Sequence, residues 1–148
     1  MQPSFEPLLP VAQALRPYVR RKTTDLLVIY GSLGAGKSTL SRYLAWKFNV
    51  SLLELDLFRK HEPGIVYRED DLARVIKLRQ GMTRALIVEG YRSLEALEAI
   101  KISPTASVHV IQSQDAGIDP LRLIQESDSN STIRWKLELN AAKLFEAV

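Results

Sequence analysis

Residues 31–38 read Gly31-Ser32-Leu33-Gly34-Ala35-Gly36-Lys37-Ser38, a full match to the pattern Gly, any four residues, Gly, Lys, Ser or Thr. At ordinary residue frequencies these fixed positions coincide by chance in only about 0.5% of chains this long. The flanks narrow the reading further. An apolar, β-branched run, Leu26-Leu27-Val28-Ile29-Tyr30, enters the loop, and Thr39 to Phe48 leave it with Leu40, Leu44 and Phe48 at helical spacing. A strand, a glycine loop and a helix in that order form a phosphate-binding unit. Glycines at 31, 34 and 36 permit the dihedrals that turn successive amides inward, and the following helix points its positive end at the same spot.

Residues Gly31 to Thr39 are therefore the expected polyphosphate cradle, with Lys37 on the β- and γ-phosphates and the Ser38 hydroxyl on Mg²⁺. A chain of 148 residues with 46% hydrophobic content suits one domain with a sizeable core. No apolar run approaches the length of a membrane span, and the start lacks a secretory pattern, so a cytoplasmic protein without membrane contact is expected. The chain has no cysteine and two separated histidines, which excludes disulfides and thiolate metal sites.

The net charge of +3 is unevenly placed. Residues 1–24 hold Arg16, Arg20, Arg21 and Lys22 against Glu6 and so account for all of it. This stretch is read as an N-terminal extension: a proline-rich start over residues 1–10, draped or poorly ordered, then a basic helix over Val11–Lys22 interrupted at Pro17. A solvated helix end is the ordinary meaning of such a cluster, and nucleic acid is not an expected partner.

Residues 25–148 are expected to form the nucleotide-binding domain. Four short apolar runs, Leu26–Tyr30, Ser51–Leu55, Ala85–Glu89 and Ala106–Ile111, read as strands covered on both faces. Between them, Leu72, Val75 and Ile76 line a helix that begins at Glu69-Asp70-Asp71, and Ser93 is placed as the cap of a helix over Leu94–Ile100. The pattern predicts an α/β fold, an open and mostly parallel sheet with helices on both faces and the loop at the carboxyl edge of the first strand. After the fourth strand, Asp119-Pro120 reads as the start of a short helix through Glu126. Beyond the polar Ser127–Ser131, a long final helix is expected with Ile133, Leu137, Ala141, Leu144 and Val148 on one stripe.

Catalysis at a phosphate loop needs carboxylates on the same edge of the sheet. Asp56 in Leu53-Glu54-Leu55-Asp56-Leu57-Phe58 closes the second strand, and Glu89 in Leu86-Ile87-Val88-Glu89-Gly90 closes the third. Glu89 is a candidate Mg²⁺ ligand beside Ser38; Asp56 is a candidate for accepting the proton of an attacking hydroxyl or for sharing the metal. Arg59, Lys60, His61, Tyr67 and Arg68 cluster around Pro63-Gly64 as a candidate acceptor region.

Gly31–Thr39, Asp56-Leu57-Phe58 and Glu89-Gly90 together resemble P-loop kinases of the uridine kinase, phosphoribulokinase and pantothenate kinase kind, within the P-loop nucleoside triphosphate hydrolase superfamily. The likeness covers about residues 10–125. It implies that Asp56 is the base near an acceptor hydroxyl, that Glu89 lies near the metal, and that ATP or GTP with Mg²⁺ phosphorylates a hydroxyl on a small molecule such as a nucleoside or sugar. Such kinases usually add a fifth strand, which the expected final helix replaces here, and a lid arginine, for which Arg122 and Arg134 are the candidates. A second likeness, through Gly31–Lys37 and Asp56-Leu57-Phe58-Arg59, is to the small ATPase of the tRNA threonylcarbamoyl-adenosine system. Asn49-Val50 leaves no room for the threonine-containing segment which that family places before its second strand. A hydrolase driving a protein partner and a nucleotide-binding regulator without turnover remain alternatives.

Overall fold

The computed structural model describes residues 6–19, 25–32, 36–61, 63–64, 66–81, 85–112, 121–126 and 132–139. Four helices, α1 (Leu9–Leu15), α2 (Lys37–Phe48), α3 (Glu69–Gly81) and α4 (Ser93–Ala99), accompany six strands, β1 (Leu26–Gly31), β2 (Ser51–Glu54), β3 (Leu86–Glu89), β4 (Ala106–Gln112), β5 (Leu121–Glu126) and β6 (Ile133–Leu139). The sheet order is β2-β3-β1-β4-β6-β5. All neighbours run parallel except β5, which is antiparallel to β6. The expected α/β sheet, open and mostly parallel, is therefore present, with two strands among the described residues beyond the four apolar runs read from the sequence.

Burial on both faces explains why the first four strands are almost unbroken apolar runs. Leu27 and Ile29 of β1 join Ile87, Val108, Val110 and Leu137 beneath α1 and α2, which contribute Leu15, Leu40 and Leu44. Leu26 and Val28 face the other way with Leu86 and Val88, under Leu72 and Ile76 of α3 and Leu97 of α4.

Both helices expected near the carboxyl end are strands. From Ile133 to Leu139 the sequence alternates strictly, with Ile133, Trp135 and Leu137 packed in the α1/α2 layer and Arg134, Lys136 and Glu138 between them. Ile133 and Leu137 satisfy both periods, since a separation of four is a helical turn and also two strand repeats. Pairing with β4 and β5 decides it, and Arg122 stands opposite Glu138 while Glu126 stands opposite Arg134. β6 thus supplies a fifth parallel strand. Asp119-Pro120, Ser127–Ser131 and the expected stripe residues Ala141, Leu144 and Val148 lie outside the described residues.

Two smaller expectations change. Residues Glu6–Leu8 form a 3₁₀ turn leading into α1, which ends at Leu15 where Arg16–Tyr18 take up a second 3₁₀ turn around Pro17. Leu8, Val11, Ala12 and Leu15 of this segment are buried in the core; Arg20, Arg21 and Lys22 lie outside the described residues. Ser93 does not cap α4: the cap position is Arg92, and the Ser93 hydroxyl donates instead to the carbonyl of Ile29 at 3.0 Å. Among the described residues no helix is long and apolar enough to cross a membrane.

Candidate active site

The loop leaves β1 at Gly31, whose φ of 152° and close approach to the Val110 carbonyl exclude a side chain, because a Cβ would run into that oxygen. It re-enters helix at Gly36, the left-handed cap of α2 with φ 91°. Ser32 is exposed at the loop's start; Leu33, Gly34 and Ala35 lie outside the described residues. Lys37, Ser38 and Thr39 form the first turn of α2, with Lys37 buried and Ser38 at the surface.

Beneath that turn lies a row of side chains set by strand register. Ile29 pairs with Glu89, and Glu89 with Glu54, so the three share the face that α2 covers. The Lys37 ammonium lies 3.8 Å from Oε1 of Glu89, both side chains being only 7% exposed. The Ser38 hydroxyl donates to the same oxygen at 3.5 Å. One turn along α2, Arg42 grips both oxygens of Glu54, at 2.7 Å from Nε and 3.3 Å from Nη2. Burial pushes the Glu89 carboxyl above its ordinary value, and the charges of Glu54 and Asp56 add to that, while Lys37 and the Ser38 hydroxyl pull it down.

A hydroxyl and a buried carboxylate are hard oxygen donors of the kind Mg²⁺ takes, since this ion binds through one or two carboxylates together with substrate phosphates and water. The residues present fit the metal. Among the described residues no group of three or more histidine, aspartate or glutamate side chains is arranged to hold a metal ion, at this site or elsewhere.

The strand expected to end near Asp56 stops at Glu54, and Asp56 is carried by a 3₁₀ turn over Leu55–Phe58. It is exposed at the carboxyl edge, while Leu55 and Phe58 of the same turn are buried. Glu54, beside Glu89 in register, is a candidate that the sequence reading does not name. Its signal was its place at the end of an apolar run matching that of Glu89, which the family likeness through Asp56 overshadowed.

The acceptor region is a loop closed on itself. Lys60 donates its amide to Val66 at 2.7 Å, Arg68 to Phe58 at 2.6 Å, and Arg59 stands opposite Tyr67 in an antiparallel bridge. Tyr67 is buried, with its hydroxyl donating to the Tyr91 carbonyl at 2.5 Å. Burial first, then the charges of Asp56 and Glu89, push its phenol up to about 12 against the opposing Arg59 and Arg92. Arg68 is committed to the loop itself: it donates to the Leu57 carbonyl at 2.7 Å, pairs with Asp71 at 3.6 Å and covers the Phe58 ring. An open depression of about 480 Å³ brings together Lys60, Tyr67, Arg68 and Asp70. Arg59 and His61 are exposed outside it.

The two lid candidates part company. Arg122 stands opposite Glu138 toward the carboxyl ends of β4 and β6, on the loop's edge of the sheet. Arg134 is the second residue of β6 and lines a cavity with Ser103, Pro104 and Thr132 at the amino edge, away from the loop. Tyr30, one residue before the loop, stacks on His109 with centroids 4.7 Å apart and planes within 2°, a contact the sequence did not signal.

No protein-family model matches the chain, and no curated protein matches it in sequence. Among solved structures it is similar to an unliganded sugar kinase from Janibacter sp. HTCC2649, at 19% identity and a TM-score of 0.45 over 62% of each chain. It is also similar to a protein described as a possible uridine kinase from Bacillus stearothermophilus, at 11% identity and a TM-score of 0.48, over 70% of this chain and 79% of the other. The chain thus spans just under two thirds of the first of these structures.

Proposed function

We propose that this protein transfers the γ-phosphoryl group of ATP, or of GTP, to a hydroxyl on a small molecule. The observation that carries the reading is the convergence of Lys37 and Ser38 on buried Glu89, with Asp56 exposed on the turn that follows the neighbouring strand. Lys37 holds the phosphates, and Ser38 and Glu89 would hold Mg²⁺, which when bound neutralises phosphate charge. Asp56 orients the acceptor hydroxyl and takes its proton as the oxygen bonds to phosphorus and the bond to the departing diphosphate breaks. The products are a phosphate ester and the nucleoside diphosphate.

The test is diphosphate release from ATP, with GTP in parallel, across a panel of hydroxyl compounds. Release stimulated by an acceptor, with phosphate recovered on that compound, supports transfer. Release that is indifferent to every acceptor but rises with a protein partner replaces this reading with a hydrolase.

A further inference from the structure

Arg59 and Arg92 come from separate segments yet meet around one tyrosine. Arg59 faces Tyr67 across their bridge. The Tyr67 hydroxyl bonds the carbonyl of Tyr91, fastening the 59–67 loop to the turn after Glu89. The next residue, Arg92, folds back so that its guanidinium lies 5.5 Å from the Tyr91 ring centroid. The bridge and the Tyr67–Tyr91 hydrogen bond therefore bring the segment bearing Arg59 beside the turn bearing Arg92, and the charges of both arginines oppose the burial that raises the Tyr67 phenol.

Neither guanidinium is used up by the fold. Arg92 reaches Glu95 only at 3.9 Å, with the two side chains 57% and 68% exposed, a pairing of little energetic weight. Arg59 donates one nitrogen to the Gly64 carbonyl at 3.2 Å, and a guanidinium has five donor hydrogens. Arg42 and Arg68, by contrast, are held by Glu54 and by Leu57 and Asp71.

The backbone at Arg92 adds a second observation. Its φ of 57° and ψ of 28° are left-handed, a conformation costly for a residue with a long side chain. The other non-glycine residues with positive φ, Asn49 and Lys101, follow the ends of α2 and α4, where the left-handed turn is customary. Arg92 instead stands at the start of α4, where a short polar residue in extended conformation is the usual cap. The conformation sets a cation beside the Tyr67–Tyr91 contact.

We propose that the acceptor carries an oxyanion group, a phosphate or a carboxylate, which Arg59 and Arg92 bind while Asp56 engages the reactive hydroxyl. The inference rests on the phosphotransferase reading above and names the substrate class of that same site. Guanidinium forks match both oxyanions in geometry, and charge-assisted bonds are the strong ones.

The experiment compares matched acceptors that differ only in the anion: a nucleoside and its monophosphate, a sugar and its phosphate, a diol and the corresponding hydroxy acid. Diphosphate release is measured with wild type, Arg59→Gln, Arg92→Asn and Arg92→Lys. Asparagine tolerates the left-handed backbone, so Arg92→Asn should keep the wild-type melting temperature or raise it. The anionic member of at least one pair is expected to be favoured in kcat/KM by about tenfold or more, with the phosphate and carboxylate pairs showing which oxyanion fits. Arg59→Gln and Arg92→Asn should each cut that preference about 10- to 100-fold, mainly through KM, and Arg92→Lys should retain part of it. A wild-type preference for the neutral members, or variants that slow both members equally, overturns the proposal and leaves the phosphotransferase standing. Release that no acceptor stimulates removes both.

Discussion

The ammonium of Lys37 and the carboxylate of Glu89 neutralise one another 3.8 Å apart beneath the phosphate loop, each almost wholly out of solvent. On the proposed phosphotransferase reading, both are groups that a nucleotide and its metal would claim, and the pair is then a resting arrangement that binding exchanges. Removing either partner leaves the other as a buried charge with less to compensate it.

Replacing Lys37 with Ala removes a charge-assisted contact to the phosphates of roughly 1.5–3 kcal/mol, so nucleotide affinity should fall about 10- to 150-fold. Titration calorimetry with a non-hydrolysable analogue reads this directly. Equal affinity in wild type and variant would take the lysine out of its assigned role.

Glu89→Gln should separate metal from phosphate. The amide no longer holds Lys37 back or repels the phosphates, so affinity without Mg²⁺ should stay level or rise by a few fold, on the order of 1 kcal/mol. The gain from adding Mg²⁺ should shrink, because an amide is a poorer ligand for a hard cation. Nucleotide titrations with and without the metal check both signs. An undiminished Mg²⁺ effect would argue against Glu89 as a ligand.

The central architecture was legible because β1 to β4 are apolar on both faces, and the loop's glycines mark a backbone demand that few other sequences meet. β5 and β6 read as helices for a physical reason. Ile133 and Leu137 fit a helix and a strand equally, and the alternation of Arg134, Lys136 and Glu138 between apolar residues was the signal that should have prevailed. Lys37, Ser38 and Glu89, the candidates that announce themselves by motif, lie in contact with one another. Glu54 and Arg92 belong to no motif; Glu54 is placed by strand register at the end of an apolar run, and Arg92 by a left-handed turn that only the tertiary structure shows.

Glu54 ends the second strand and Asp56 sits on the turn just after it, but of the two carboxylates only Glu54 is clamped, by Arg42. Asp56→Asn should therefore lower phosphoryl transfer by about 10²–10⁴ and leave nucleotide affinity within a few fold, as general-base assistance requires. Glu54→Gln removes a charge that raises the Glu89 carboxyl, so Glu89 should become easier to ionise. Single-turnover rates on a responsive acceptor give the first result and the acid limb of the pH–rate profile the second, where it should move downward. An unchanged transfer rate in Asp56→Asn would leave hydrolysis as the better reading.

The missing side chain at Gly90 leaves room for the turn that carries Asp56. A Cβ at position 90 would stand 2.7 Å from that of Leu55, inside any normal contact, and Leu55 is the buried residue next to Asp56. Gly90→Ala should cost about 1–3 kcal/mol through overpacking, and Leu55→Ala about 2–5 kcal/mol through the cavity it leaves. The double variant should be modestly more stable than the sum of the two losses predicts: Leu55→Ala removes the Cγ and Cδ1 that a Cβ at 90 would meet at 3.2 and 3.3 Å, and the new methyl fills part of the cavity, although the Cβ of residue 55 stays. Denaturant titrations of all four proteins measure the coupling; strict additivity would mean that the two positions do not press on one another.

Tyr67 gives a pH dependence with a definite sign. Its phenol, ordinarily at 10.0, is pushed up to about 12 chiefly by burial, so the folded state holds this proton more tightly than the unfolded chain does. The resulting stabilisation is fully present below pH 10 and is lost progressively as pH rises from about 10 through about 12. Tyr67→Phe removes both the titration and the hydrogen bond to the Tyr91 carbonyl, a bond worth about 1 kcal/mol at neutral pH. Wild type should therefore exceed the variant in urea midpoint at neutral pH, and the margin should close as the solution passes pH 10. Tyrosinate absorbance should show the matching loss of the latest-titrating phenol in the variant. A margin that stays constant into the alkaline range would mean that Tyr67 is open to solvent, and that the 59–67 loop is not fastened to the turn after Glu89.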